Sequence, residues 1–167
     1  MKFTKRLIKG KLIKRYKRFF ADINLNKEII TAHCPNTGSM MGLLNTNNDV
    51  WISKNNNPKR KLKFTLEIIK VKNNLVGVNT HLANKIVYHG LSNNLINELN
   101  YNQNIKAEVF FNKKTRFDFL IEKNNQKNFV EVKNVTLCRK DKISEFPDAV
   151  TSRGSKHLKT LIDAIKK

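Results

Sequence analysis

The sequence predicts a mixed α+β protein in two parts: a small closed β-barrel of the OB type, then an α/β domain. Three observations predict this. Short strand-like segments separated by polar turns fill the chain up to about residue 80. Apolar residues at helical spacing follow, and a pattern of three strands and a last helix completes the chain. A length of 167 residues suits two small domains, and we expect them over residues 1–82 and 83–167.

The first part is predicted from strands and turns. The basic stretch LIKGKLIKRYKRFFADINL predicts one long bent strand, with Gly10 permitting the bend. Shorter strands follow at EIITAHCPN, DVWISK, LKFTLEIIKV and NLVGVNT, separated by polar turn clusters. Five short strands with a bent first strand fit an OB barrel, and a plain antiparallel sheet is the alternative.

After about residue 80 the strand-and-turn pattern gives way to a pattern of helices and strands. HLANKIVYHGLSNNLINEL predicts a helix, with Asn84 or Ser92 able to cap it. The strand IKAEVFF, the hairpin RFDFLIEKNNQKNFVEVKNVTL and the loop CRKDKISEFPDAVTSRGS come next. The chain closes with a predicted helix, KHLKTLIDAIKK, in which one face is apolar. That apolar stripe consists of Leu158, Leu161, Ile162 and Ile165.

Charge points to a polyanionic partner. The formal net charge is +20 and the sequence pI is about 10.2, so a nucleic acid, DNA or RNA, is the expected partner. An A+T-biased genome also produces an excess of Lys, Asn and Ile. Under that alternative, some of the lysines only lie on a solvated surface and contact no partner. The chain has no apolar run near the roughly 20 residues of a membrane span, no secretory signal and two cysteines without ligand spacing. We therefore expect a cytoplasmic protein with no membrane partner, its oligomeric state left open and a homodimer compatible.

Basic and aromatic residues alternate near the N terminus as in a nucleic-acid groove, where cations follow the backbone and rings stack on bases. The predicted contacts there are Lys9, Lys11, Lys14, Arg15, Tyr16, Lys17 and Arg18. A basic loop adds Lys59, Arg60 and Lys61, and the start of the last helix adds Arg153, Lys156 and His157. The alternative is that the rings are barrel core, which we expect for Phe20, and that the charges only meet solvent.

The stretch AHCPNTGSMMG raises a different question. His33 and Cys34 are adjacent on a strand, so their side chains point to opposite faces and cannot form a nucleophile–base pair. We expect a turn here, and phosphate binding by the amides of residues 37–39 is the alternative.

Three charged residues interrupt the apolar hairpin. If its turn is centred on the asparagines at 124 and 125, the register follows by counting. The opposed pairs are then Leu120 with Phe129, Asp118 with Glu131, and Arg116 with Lys133. Directly opposed Cβ atoms lie roughly 4.5–5.5 Å apart, and the period of two puts the acidic pair and the lysine on one side.

Two carboxylates that close repel each other unless one is protonated or a cation lies between them. Mg²⁺ or Mn²⁺ would suit Asp118 and Glu131, since Mg²⁺ uses one or two carboxylates and completes its shell with water and phosphate oxygen. Lys133 would then orient the attacking water and offset the charge that builds on the phosphate. The pattern predicts a phosphodiester-cleaving centre, and a solvated charged edge strand is the alternative.

Seven stretches together resemble the sugar fermentation stimulation protein A (SfsA) family. They are LIKRYKRFFADI, AHCPNTGSM, NPKRKLKFTLE, VGVNT, RFDFLIE, FVEVKNVTL and FPDAVTSRGSKHL. Members are described as DNA-binding proteins with an N-terminal OB-like barrel and a C-terminal domain that resembles PD-(D/E)xK nucleases. The resemblance therefore implies that Asp118, Glu131 and Lys133 are the acidic pair and lysine of a nuclease-like site. Since family chains continue past KHLKTLIDAI into further strands, it also implies that this chain is C-terminally shortened.

Nuclease sites of this type often take a third acid from a preceding helix or strand. Glu108 is the expected residue and Glu98 is the alternative, while a surface glutamate is the plain interpretation of both. Two functions are the main hypotheses, and a third, association of a basic protein with RNA or the ribosome, rests on charge alone. One is a Mg²⁺- or Mn²⁺-dependent nuclease acting on DNA, and the other is a non-catalytic DNA-binding regulator linked to sugar-metabolism gene expression.

Overall fold

The computed structural model describes residues 1–99, 104–113, 115–123, 126–140, 142–146 and 152–165, without the side chains of 123, 152, 153 and 157. The chain forms two compact units, Met1–Leu82 with Asn134–Asp148 and Ala83–Lys133 with Ala149–Lys167. The segment Asn134–Asp148 therefore belongs with the first unit, and the chain returns to the second unit after it. In the described part of the chain, no helix combines the length and the apolar character needed to cross a membrane.

The first unit is built on a six-stranded sheet. Its strands are β1 Ile8–Tyr16, β2 Phe20–Leu25, β3 Glu28–His33, β4 Asp49–Lys54, β5 Phe64–Val71 and β6 Asn74–Gly77. Their order is β3-β2-β1-β4-β5-β6, and a parallel pairing of β3 with β5 closes the first five strands into a barrel. The closed OB barrel is thus confirmed against the open antiparallel sheet.

The barrel closes around fully buried aliphatic side chains. Eight of them come from the five barrel strands: Leu12, Ala21, Ile23, Ala32, Val50, Ile52, Leu66 and Ile69. On β2 and on β4 they stand two residues apart, which is the period that turns alternate side chains inward. Burial of a large aliphatic side chain contributes about 1.5–3 kcal/mol, so this core is the main force that holds the barrel together.

The stretch predicted as one bent strand is a hairpin, and that prediction is wrong. β1 ends at Tyr16 and β2 begins at Phe20. In the turn, Lys17 and Arg18 have φ of 46° and 62°, a left-handed conformation that Gly, Asn and Asp normally signal. Because neither residue gives that signal, the turn is invisible in the sequence.

Gly10 serves close approach of two strands. A Cβ atom at this position would lie 2.6 Å from Cγ2 of Ile23 and 3.0 Å from the carbonyl oxygen of Asn24, both on β2. The absence of a side chain therefore lets β1 and β2 pack tightly at this point.

The second unit is a three-stranded antiparallel sheet with two helices. Its elements are α1 Ala83–Ser92, a 3₁₀ turn Asn97–Leu99, β7 Asn104–Asn112, β8 Thr115–Lys123, β9 Gln126–Val130 and α2 Ser152–Ile165. The sheet order is β7-β8-β9, and Leu91 of α1 packs against Phe119 and Ile121 of β8. The predicted order of helix, three strands and helix is confirmed.

Two boundaries near the end of the chain differ from the prediction. A short hairpin of β10 Leu137–Lys140 and β11 Ile143–Glu145 stands where a loop was expected. Arg139 donates to the Glu145 carboxylate from its main-chain N and from its guanidinium, with Nε–Oε2 2.9 Å. This cross-strand pair supports a hairpin that strand propensity does not signal.

α2 begins at Ser152, four residues before the predicted start, and Leu158, Ile162 and Ile165 of its apolar stripe are exposed.

Candidate functional sites on the two units

The hairpin of β8 and β9 has the predicted register. Its ladder pairs Leu120 with Phe129 and Phe119 with Val130. The turn predicted at residues 124–125 lies outside the described residues. The counting that placed the acidic residues is therefore correct up to the end of β9.

The ladder stops just before the predicted carboxylate pair. β9 ends at Val130, so the predicted pairs of Asp118 with Glu131 and Arg116 with Lys133 are not part of it. The carboxylate of Asp118 instead accepts a hydrogen bond from the main-chain N–H of Val132, with Oδ2–N 2.7 Å. A side-chain acceptor thus holds the chain segment that carries Glu131 and Lys133.

Asp118 has a second donor from α1. Asn84 Nδ2 lies 2.8 Å from Asp118 Oδ1, so Asn84, predicted as a helix cap, is a residue of the first helical turn that orients a carboxylate. Each carboxylate oxygen has two lone pairs, and the two hydrogen bonds use one on each. The carboxylate is therefore fixed in orientation and still able to bind a cation.

Glu131 and Lys133 are brought together as predicted. Lys133 Nζ lies 2.6 Å from Glu131 Oε1, and their side chains are 48% and 12% exposed. The half-exposed ammonium offsets the charge of a mostly buried carboxylate. A divalent ion bound to Glu131 would lie within reach of the same lysine.

Glu108 lies beside Asp118 in the sheet. Its flanking residues Ala107 and Val109 pair with Phe119 and Phe117, which puts Glu108 opposite Asp118. Glu108 has φ of 55°, a departure from strand geometry that is common next to functional sites. Its carboxylate accepts from Nε of Arg116 at 2.8 Å. The alternative third acid, Glu98, is exposed in a 3₁₀ turn.

An open pocket of about 300 Å³ joins the two acids. It is lined by Asn84, Lys85, Tyr88, Ala107, Glu108, Asp118 and Phe119. Among the residues that the structure describes, no three His, Cys, Asp or Glu side chains are grouped so as to hold a metal ion. Any ion here would rely on one or two carboxylates, which is what Mg²⁺ requires of a protein.

Of the other predicted contacts in this unit, Lys156 is exposed on α2, and the side chains of Arg153 and His157 lie outside the description.

The first unit displays the predicted lysines on β1. Lys9 and Lys11 both bind Asp49, with Nζ–O distances of 2.9 and 2.6 Å. Lys9 also stands 5.6 Å from the ring centre of Trp51, its partner in the β1–β4 ladder. Because two lysines share one carboxylate, the strand keeps an excess positive charge. Trp51 was missed from the sequence, since only the strand pairing places it beside a lysine.

A second group of cation and rings lies at the end of β1. Lys14 Nζ is 5.4 Å from the ring centre of Tyr16, and Tyr16 stacks on Phe20 at 5.4 Å. Tyr16 donates its hydroxyl to Asp22 at 3.2 Å. Phe20 is half-buried outside the barrel core, so the expectation that it is a core residue is wrong.

Some of the remaining predicted contacts of this unit are exposed side chains, and Arg15 instead bonds to the protein's own main chain. Lys17 and Arg18 are exposed in the β1–β2 turn. Arg15 donates through Nη2 to the carbonyl oxygens of Arg18 and Asn36, at 3.0 and 2.8 Å, so its guanidinium holds the turn. In the basic loop, Lys59 and Lys61 are exposed and Arg60 is half-buried.

The Asp49 ion pairs give a pH prediction. Hydrogen bonds from Lys11 and then Lys9 lower the pKa of Asp49 from 3.8 to about 2. A carboxyl group whose pKa falls on folding stabilises the fold above its ordinary pKa, and this contribution is lost as the pH drops through the lowered value. We therefore expect Lys11→Gln to raise the pKa of Asp49, measured by NMR titration of its carboxyl carbon. Lys27→Gln, in the exposed β2–β3 turn, should leave it unchanged, and an ordinary pKa in the wild type would contradict the expectation.

The two units together define a class of protein that joins an OB-type barrel to a small α/β unit with carboxylates on a hairpin. Residues 13–78 match the SfsA N-terminal OB domain, and residues 81–167 match the sugar fermentation stimulation protein RE domain. The chain belongs to the sugar fermentation stimulation protein family.

Relatives of known sequence agree with this assignment, and a solved structure shares the fold. A sugar fermentation stimulation protein homolog from Pelagibacter ubique (strain HTCC1062) is 75% identical over 167 residues, covering 100% of this chain and 72% of the relative. One from Maricaulis maris (strain MCS10) is 45% identical over 99% of this chain and 72% of its own length. The structure of Pyrococcus furiosus SfsA in complex with Ca²⁺ has the same fold, with a TM-score of 0.81 over 98% of this chain and 68% of that chain at 23% identity.

Proposed function

We propose that this protein binds DNA and that its second unit is a divalent-metal-dependent phosphodiesterase. The observation that carries the proposal is the placement of Asp118. Two hydrogen bonds fix its carboxylate, and one of them ties it to the segment that carries Glu131 and Lys133. Such fixing of acidic ligands by neighbouring donors is characteristic of metal sites.

Asp118 and Glu131 would be the two carboxylates that hold Mg²⁺ or Mn²⁺, and Glu108, which lines a pocket with Asp118, would be a further acid beside them rather than a third ligand. A bound ion supplies Lewis-acid stabilisation of the phosphate and a water of lowered pKa. Lys133 would orient the attacking water and offset negative charge at the phosphate. The Ca²⁺ in the Pyrococcus furiosus structure supports the proposal, because Ca²⁺ and Mg²⁺ both prefer oxygen ligands.

DNA binding is assigned to the first unit because of its charge. Residues 1–82 contain 17 Lys and Arg against 4 Asp and Glu. Two of those acids, Asp22 and Asp49, lie against lysines of β1. Cations beside exposed or half-exposed rings are the arrangement with which OB folds hold nucleic-acid strands.

A specific observation favours a second candidate, DNA binding without cleavage. Asp118 already accepts from two protein donors and Glu131 already pairs with Lys133. These contacts would equally stabilise an acidic hairpin that has no chemistry, as expected of a regulator.

One experiment separates the two candidates. Purified protein is incubated with single- and double-stranded DNA and with RNA, in Mn²⁺, Mg²⁺ or chelator. A nuclease is expected to cleave only with the metal, and Lys133→Ala should abolish cleavage while leaving DNA binding in place. Lys106→Ala is the matched control, because Lys106 also pairs with a glutamate of this unit at 2.6 Å. DNA binding without cleavage under every condition would establish the second candidate, and absence of binding would contradict both.

A further inference from the structure

Three cationic or titratable side chains meet at one place on the barrel. His33 ends β3, and its ring centre lies 6.5 Å from that of His81 in the 3₁₀ turn Thr80–Leu82, with ring planes 41° apart. Arg60 of the basic loop is the third. His33 and His81 have no role in the function proposed above.

The strand pairing that closes the barrel brings Arg60 to His33. In the parallel β3–β5 pairing His33 is opposite Thr65, and Arg60 donates through Nη2 to the Thr65 hydroxyl at 3.2 Å. Arg60 is half-buried, whereas its neighbours Lys59 and Lys61 are exposed. The guanidinium is therefore held next to the imidazole by the fold.

A separate network holds His81. Thr80 donates its hydroxyl to the carbonyl of Pro35 at 3.0 Å, two residues beyond His33. The main-chain N–H of His81 donates to Asn79 Oδ1 at 3.1 Å, and Asn79 Nδ2 donates to Glu67 at 2.7 Å. The 3₁₀ turn that carries His81 is thus anchored by hydrogen bonds to the chain just after His33.

The carboxylate tied to this network is buried and already accepts two hydrogen bonds. Glu67 is 6% exposed, and its two oxygens accept from Asn79 and from the Ser53 hydroxyl, at 2.7 and 2.6 Å. The charged groups that act on His33 are Arg60 and His81. Burial, then Arg60, then His81 lower the pKa of His33, because each disfavours a further positive charge.

Two imidazole rings and a guanidinium group at one place favour the binding of an anion. A phosphate group offers several acceptor oxygens, and guanidinium and imidazole N–H groups donate to them at about 2.7–2.9 Å. The main-chain amides of residues 37–39 were the phosphate-binding alternative that the sequence offered. The N–H of Gly38 is bound by the side chain of Asn36 at 2.9 Å, as in an ordinary turn, so phosphate recognition shifts to the side chains.

We propose that His33, His81 and Arg60 form a phosphate-binding site, and that its ligand is a phosphate group of a nucleic-acid strand. The identity of the ligand rests on the DNA binding proposed above, whereas the site itself does not. An internal phosphodiester and a terminal phosphate share the chemistry that this cluster recognises.

NMR titration of the histidine rings tests the site without DNA. Inorganic phosphate is expected to raise the pKa of His33, since an anion favours the protonated ring, and to shift the ring resonances of His81. His89, on α1 of the second unit, is the internal reference and should not respond. Arg60→Gln should weaken phosphate binding by about 10-fold, as expected for loss of one charge-assisted hydrogen bond. Lys63→Gln, an equal loss of charge at an exposed residue three positions further on, should retain the response.

Oligonucleotides identify the source of the phosphate. An unphosphorylated strand that moves the His33 and His81 signals identifies an internal phosphodiester, and a response confined to a 5′- or 3′-phosphorylated strand identifies a terminal phosphate. If DNA binds but neither inorganic phosphate nor any strand affects the two rings, the site is overturned and the proposed function stands. If phosphate binds and DNA does not, the site stands and DNA binding is wrong. Thermal unfolding of Arg60→Gln, compared with wild type, shows that a lost response is not a lost fold.

Discussion

Asp118→Asn is expected to abolish metal-dependent cleavage while the protein stays folded. Asparagine has nearly the shape of aspartate, and its carbonyl oxygen can accept the N–H of Val132 as Asp118 does now. The amide of Asn84 can turn over to accept from the new amide, so both partners remain satisfied. Loss of an outer-shell partner of a metal ligand costs about 10–100-fold in affinity or activity, and loss of the charged ligand itself should cost at least as much.

Asp118→Ala is the contrasting variant. It leaves the donors of Asn84 and Val132 without their acceptor in a part-buried site, and each orphaned donor costs about 1–3 kcal/mol. Chemical denaturation should therefore show Asp118→Ala to be destabilised and Asp118→Asn to be close to wild type, while both lose Mn²⁺ binding by calorimetry. Undiminished Mn²⁺ binding in Asp118→Asn would remove this carboxylate from the metal site.

The affinity for DNA is expected to fall by about 10³–10⁵-fold between 50 and 200 mM salt if the basic surface contacts 6–10 phosphates. The excess of 17 Lys and Arg over 4 Asp and Glu in residues 1–82 is the physical reason. Each phosphate that a lysine neutralises releases condensed counterions, so added salt opposes binding. Fluorescence anisotropy of a labelled oligonucleotide over a series of salt concentrations measures the slope.

Lys14→Gln should lower that slope by about one, because Lys14 is 65% exposed beside the ring of Tyr16. Lys72→Gln is the control, because it removes the same charge from another place on the unit. Lys72 is exposed in the β5–β6 turn. Equal effects of the two substitutions would mean that binding follows total charge, and that the β1 surface has no special part in it.

The sequence predicts the barrel well because its short apolar segments are separated by polar turn clusters, and because β2 and β4 bury every second residue. It also predicts the β8–β9 register, which depends on a turn and on counting. The β1–β2 turn was missed because Lys17 and Arg18 adopt left-handed backbone angles without the residues that usually announce them.

The candidate site was predictable only where its parts are near in sequence. Glu131 and Lys133 are two residues apart, and they pair as expected. Asn84 is 34 residues from Asp118, and no local pattern connects a helical asparagine to a strand carboxylate. Trp51 beside Lys9 and His33 beside His81 likewise arise from tertiary pairing. Long-range contacts of this kind are set by strand order, which propensity does not encode.

The seam between β3 and β5 consists of Ala32 with Phe64 and His33 with Thr65. These partners are 32 residues apart in the chain, so the seam forms only after a long loop has closed. The imidazole and guanidinium groups gathered there are scattered in the unfolded chain. Any anion that prefers them assembled therefore drives the folding equilibrium toward the finished barrel by mass action, which makes the ligand a contributor to the architecture that recognises it.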